Sequence, residues 1–212
     1  LQSRGLGDVY KRQVLKSSEE TLNVYPFAFA LKITYTLKKH DLEVCWEVVN
    51  NDSETMYFTI GGHPAFRVPV REGESQSDYR LAFEGLDTLT YLLIDTSVGT
   101  VLADEPHTLS LENGTCSIAP HMFDKDALVF DNGQIQKAGI LFPDGTPYLT
   151  LTSEGFPNFG IWSVPGAPFV CLEPWMGRCD DCGFEKPLSE KANINVLKPD
   201  EEFIKSYQIT VH

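Results

Sequence analysis

The chain has 212 residues, 42% of them hydrophobic, and a formal net charge of -13. That length and apolar share can fill a sizeable core in one domain, while the acidic balance excludes partners that need a basic surface, nucleic acid and anionic membranes among them. No apolar run reaches the length of a membrane span and the start lacks the apolar core of a signal peptide, so a soluble, cytoplasmic protein is expected.

Residues 1–13 stand apart, because Arg4, Lys11 and Arg12 outweigh Asp8 in an otherwise acidic chain and no strand or helix period is visible. A disordered terminus would explain this, but the opposite charge fits a foreign leader better, ahead of a single domain over residues 14–212. From Phe27 the pattern is strong. Phe27, Phe29, Leu31, Ile33, Tyr35 and Leu37 occupy alternate positions, residues 38–41 make a polar turn, and Leu42, Val44, Trp46 and Val48 alternate again. This predicts an antiparallel hairpin. Residues 55–60 alternate in turn, and are expected to add a third strand to a meander and to run into Gly61-Gly62-His63-Pro64-Ala65-Phe66.

If alternation survives the two glycines, His63 continues the polar face of that strand; a bulge there would re-aim it. Short strands are then expected at 80–83, 89–94, 108–111, 116–119, 127–130, 138–142, 148–152, 159–163, 169–172 and 203–211. No segment keeps a 3.6-residue period over helical length. Many short strands with 13 prolines and 16 glycines predict an all-β domain, a β-sandwich or a jelly-roll-like relative.

The strand at 169–172 ends in an anomaly. Glu173 follows four apolar residues, and a carboxylate there loses hydration, which lifts its pKa toward the range of a working base. Pro174 keeps Glu173 extended. Alternation puts Glu173 on one face with Phe169, Cys171 and Trp175, and Val170 and Leu172 on the other. His63, like Glu173, precedes a proline at the end of an apolar strand, so the two are candidates for an acid and base pair. His40, His107 and His121 lie in polar or turn contexts and have no comparable claim.

Five cysteines, at 45, 116, 171, 179 and 182, form an odd set in a domain large enough to need no staples, which suits a reducing compartment. Cys179-Asp-Asp-Cys182 is a tempting pair, but a zinc site needs two further ligands at recognisable spacing, so no metal is expected. Arg67, Arg71 and Arg178 are either solvated surface or ligands for a phosphate.

Four stretches together, Gly61-Gly62-His63-Pro64-Ala65-Phe66, Phe123-Asp124-Lys125-Asp126-Ala127-Leu128, Gly160-Ile161-Trp162 and Phe169-Val170-Cys171-Leu172-Glu173-Pro174-Trp175, resemble the aldose 1-epimerase (galactose mutarotase-like) family, most of all its LacX-type branch. The resemblance implies a mutarotase β-sandwich, the supersandwich, that interconverts the anomers of an aldose without cofactor or metal. It implies His63 as general acid, Glu173 as general base and Asp126 as a ligand for sugar hydroxyls; Asp124, two residues away, is the alternative. Trp162, Trp175 and Phe66 are candidate platforms for the C–H faces of a pyranose. Relatives carry further strands and a His-Gly-Phe-Ala-Arg motif upstream, so the resemblance also implies an N-terminally truncated chain. Two other functions stand beside anomer exchange: a noncatalytic sugar-binding or sensing module on the same fold, and a hexose-6-phosphate epimerase using one of the arginines. A lectin gains nothing from a matched acid and base, which favours the enzyme.

Overall fold

In a computed structural model of the protein, residues 9–212 are described, and they form an almost wholly β structure with one four-residue helical turn, Glu19–Leu22. By its internal contacts the chain forms two compact units: residues up to Tyr57 with Val196–His212, and Phe58–Asn195. No helix among the described residues is long and apolar enough to cross a membrane.

The first unit is an antiparallel sheet in the order Val9–Lys16, Phe29–Lys38, Asp41–Asn50, Glu202–Val211. The expected hairpin is present, with Lys38 opposite Asp41 and Leu37 opposite Leu42. Its two-residue turn needs a left-handed residue, and Lys39 takes that conformation at φ 54°. Alternation decides what is buried: Val44, Trp46 and Val48 are shielded, with Trp46 packed edge-on to Tyr207 at 5.5 Å, while Glu47 on the opposite face pairs with Lys32.

Two expectations need correction here. The third strand of the meander is Val9–Lys16, not residues 55–60, because Asp41–Asn50 already pairs with Phe29–Lys38 on one side and Glu202–Val211 on the other. Val9 to Gln13, placed in the leader by their charge, pair with Ile33–Leu37 and are not disordered; a strand exposed on both faces shows no apolar period to read. Leu1 to Asp8, the rest of the expected leader, lie outside the described residues.

The second unit holds two main groups of strands. In one, Pro147–Thr152, Lys137–Leu141, Arg80–Ala82 and Thr115–Ser117 lie side by side. Cross-strand partners Leu81, Ile140 and Leu149, and Ala138 with Leu151, are all buried. The other is a five-stranded sheet of Leu128–Phe130, Asn158–Trp162 and Phe169–Met176, the last flanked by the short strands Ile60–Gly61 and Ala65–Arg67. One face of this sheet is purely apolar, with Leu128 opposite Ile161, Phe130 opposite Phe159 and Ile161 opposite Leu172. Its other face carries Trp162, Cys171, Glu173 and Trp175. Buried apolar pairs of this kind hold such a sheet in register, since a one-residue slip would turn every one of them to the wrong side.

Candidate active site

Glu173 is in the middle of the Phe169–Met176 strand, 4% exposed. Burial pushes its carboxyl up to about 7; the nearby negative charge of Asp126 adds to the rise, and a hydrogen bond from the Trp175 side chain opposes it. The strand opposite offers Gly160 at the position facing Glu173. Having no side chain, Gly160 leaves that space to the Trp175 indole.

His63 reaches the same place by register. Trp175 stands opposite Gly61 and Cys171 opposite Ala65, which leaves His63 across from Glu173. Two backbone bonds clamp the segment on either side: Gly62 N–H donates to the Pro174 carbonyl at 2.9 Å, and Leu172 N–H to the Pro64 carbonyl at 3.3 Å. The result is a His63 Nδ1 to Glu173 Oε1 distance of 3.4 Å, between a side chain 61% exposed and one 5% exposed. A buried group with a displaced pKa therefore meets a solvent-facing imidazole. Pro64 and Pro174 lack N–H groups, so the irregular crossing leaves fewer donors unpaired.

Trp175 is fixed by what its neighbours lack. A Cβ on Gly61 would collide with the indole at Cδ1, and one on Gly160 with Cζ2 and Cη2, so the ring lies across both glycines. It also packs on the cluster of Leu92, Val101 and Val129 with Ile94 and Cys179. With its side chain bonded to Glu173, Trp175 acts as a brace for the carboxylate. Its exposed edge lines a hollow of about 320 Å³ with Thr59, Gly61 and Arg178. Arg178 itself is buried, donating to both oxygens of Asp131 at 2.8 and 2.7 Å; Asp131 also accepts from Asn158, the residue opposite Trp175.

Trp162 stands on the other side of the pair. Its ring meets His63 edge to face at 5.6 Å and Phe169 at 5.8 Å. It also lines a cleft of about 600 Å³ with Phe123, Asp124, Lys125 and Asp126. Both aspartates lie in a turn and not in a strand, so alternation does not relate their faces. They differ in surroundings: Asp124 is exposed and bonded to His121 at 2.8 Å, whereas Asp126 is half-buried, held at φ 73° and close enough to act on Glu173.

Phe66 is not brought to this face. It pairs with Val170, which points to the apolar side of the sheet, and backbone neighbours directly opposite share a face. Sequence reasoning also passed over four contributors. His107, stacked on Tyr91 at 5.2 Å, lines the Trp162 cleft together with Asp95 and Glu105. Gly61 and Gly160 make room for the indole. Cys171 places its sulfur in a group with His63 and Glu173 whose donor atoms lie within 4.8 Å of one another. Burial and the charge of Glu173 hold the Cys171 thiol up to about 12. All five cysteines are free, and Cys179 is occupied in packing.

Known proteins bear on this arrangement. The sequence profile described as Aldose 1-epimerase matches residues 4–207. The plasmid form of Protein LacX from Lactococcus lactis subsp. lactis is 30% identical over 200 residues, covering 93% of this chain and 67% of that protein. Among solved structures, a galactose mutarotase related enzyme from Lactobacillus acidophilus superposes with a TM-score of 0.87 at 29% identity, over 96% of this chain and 68% of the other. A galactose mutarotase-like protein from Lactobacillus casei gives 0.81 at 27% identity, over 100% and 72%. With a galactose mutarotase-like β fold, and with a family match that spans nearly its whole length, the chain belongs to the aldose 1-epimerase family.

Proposed function

We propose that this chain interconverts the α and β anomers of an unphosphorylated aldose, with Glu173 as general base and His63 as general acid. Glu173 takes the proton from the C1 hydroxyl while His63 protonates the ring oxygen, the C1–O5 bond breaks, and the aldehyde turns about C1–C2. Reclosure on the other face returns both protons, so the pair exchanges roles and no cofactor or net redox change is needed. The observation that carries this reading is a buried carboxyl pushed up to about 7, 3.4 Å from an exposed imidazole. A lectin needs neither the displaced pKa nor the imidazole partner.

Trp162 is the platform in this scheme, since it borders both His63 and the cleft; Asp126 accepts from sugar hydroxyls, and Trp175 orients Glu173. Charge argues against a phosphorylated sugar. Asp95, Glu105, Asp124 and Asp126 line the cleft with Lys125 as its one Lys or Arg. Arg178 is engaged by Asp131 and Asp181, and Arg71 by Glu74, Asp144 and the ring of Phe142. Arg67 shares the face of His63 but is exposed at the far end, opposite Phe169.

Polarimetry on freshly dissolved glucose and galactose tests the proposal. The optical rotation should relax faster in proportion to protein concentration, and more slowly responding glucose 6-phosphate should mark the preference for neutral sugars. Sugar binding by calorimetry with no acceleration of mutarotation would instead establish the noncatalytic module.

A further inference from the structure

The acid and base pair has a third neighbour that anomer exchange does not use. Cys171 lies two residues before Glu173 on the same face of the same strand, and Cys171, His63 and Glu173 offer one sulfur, one nitrogen and one oxygen within 4.8 Å of one another. Zinc bonds to nitrogen and oxygen of about 2.0–2.1 Å, opened to a tetrahedral angle, place two donors about 3.3–3.4 Å apart. His63 Nδ1 and Glu173 Oε1 are 3.4 Å apart, which is that tetrahedral edge. The remaining closure toward sulfur asks for a rotation of Cys171 and of the exposed His63 ring.

The donor set also selects among metals. A thiolate with an imidazole favours zinc-class ions over magnesium and calcium, which take oxygen ligands. Three protein donors under an exposed histidine leave the fourth position to water or a sugar hydroxyl, the form of an open zinc site. We propose that His63, Cys171 and Glu173 form a binding site for a thiophilic divalent cation of the Zn²⁺ class, and that an occupied site withdraws both proton-transfer groups and arrests anomer exchange. Binding stands on the geometry alone; the arrest rests on the proposed roles of His63 and Glu173. On coordination the Cys171 S–H bond breaks, its proton passes to buffer and the sulfur lone pair forms the metal bond, with no change of oxidation state.

The test is titration of metal-free protein with Co²⁺, read by the thiolate-to-cobalt charge-transfer band in the near ultraviolet, followed by displacement with Zn²⁺. One equivalent should bind with that band. The band should vanish in Cys171→Ser and persist in the Cys179→Ser/Cys182→Ser double variant. His63→Asn, at an exposed position that leaves the fold alone, should weaken Co²⁺ binding by about tenfold or more, since even an outer-shell partner is worth about 10–100-fold in metal affinity. Anomer exchange by the parent should fall as Zn²⁺ fills the site and return with a chelator. A parent without the charge-transfer band overturns the proposal, as does a band that follows Cys179 and Cys182. A band obtained with a protein that does not exchange anomers would uphold the metal site and remove the enzymatic reading instead.

Discussion

At the scale of single residues, the proposed reaction turns on how Glu173 is charged. Its carboxyl lies near 7 because it is buried and faces Asp126, while the Trp175 side chain pulls it back. A base works deprotonated, so the rate should climb with pH through about 7. Asp126→Asn removes one of the two influences that raise this value. In that variant the rising limb should move to lower pH, and KM should increase as a hydroxyl ligand is weakened. A limb that stays in place with an unchanged KM would detach Asp126 from the site. The same residues show what the sequence could reveal. Alternation across 61, 63 and 65 puts His63 on the face of Gly61 and Ala65, consistent with the register of those two neighbours and with His63 Nδ1 lying 3.4 Å from Glu173 Oε1, and one more step of it sends Phe66 to the other side. Phe66 became a candidate through its place in a motif, although its own parity pointed away.

At the scale of elements, the site depends on absent side chains. Alternation within 169–176 locates Glu173, Cys171 and Trp175 on one face, and this was legible. It cannot tell what lies on the neighbouring strand, because register is set by partners remote in sequence. Hence the glycines at 61 and 160, which let the indole lie flat, had no visible role in the sequence. Gly160→Ala should therefore act through Trp175: the new methyl meets the ring, the indole shifts, and its bond to Glu173 is lost. Overpacking of this kind costs about 1–3 kcal/mol of stability. Thermal unfolding should show that loss together with an upward displacement of the pH limb, since the bond from Trp175 lowers the Glu173 pKa. A stability loss with an unmoved limb would mean that the indole does not tune the base. Asp126 illustrates the other limit on legibility. It sits in a turn at φ 73°, where a two-residue period carries no information, so only tertiary structure separates it from Asp124.

At the scale of the whole molecule, the all-β class was readable from the sequence. Short alternating strands between glycines and prolines leave little room for a helix, and among the described residues the only α-helical segment is the four-residue Glu19–Leu22, beside two three-residue 3-10 turns. One feature escaped. The edge strand Val9–Lys16 is exposed on both faces, so its pairing left no trace in hydrophobic period. With all five cysteines free, mild reductants should leave both Tm and activity unchanged; a lower Tm on reduction would reveal a disulfide holding the fold.

Whether His63 and Glu173 together open and close a sugar ring is read by magnetisation transfer between the anomeric protons of glucose or galactose at equilibrium. The parent protein should speed exchange between the two anomers, and Glu173→Gln and His63→Asn should each reduce that acceleration by about 10²-fold or more while their melting curves stay those of folded proteins. Exchange that is equally fast in the parent and in Glu173→Gln, or no faster with the parent than in buffer, would contradict the account.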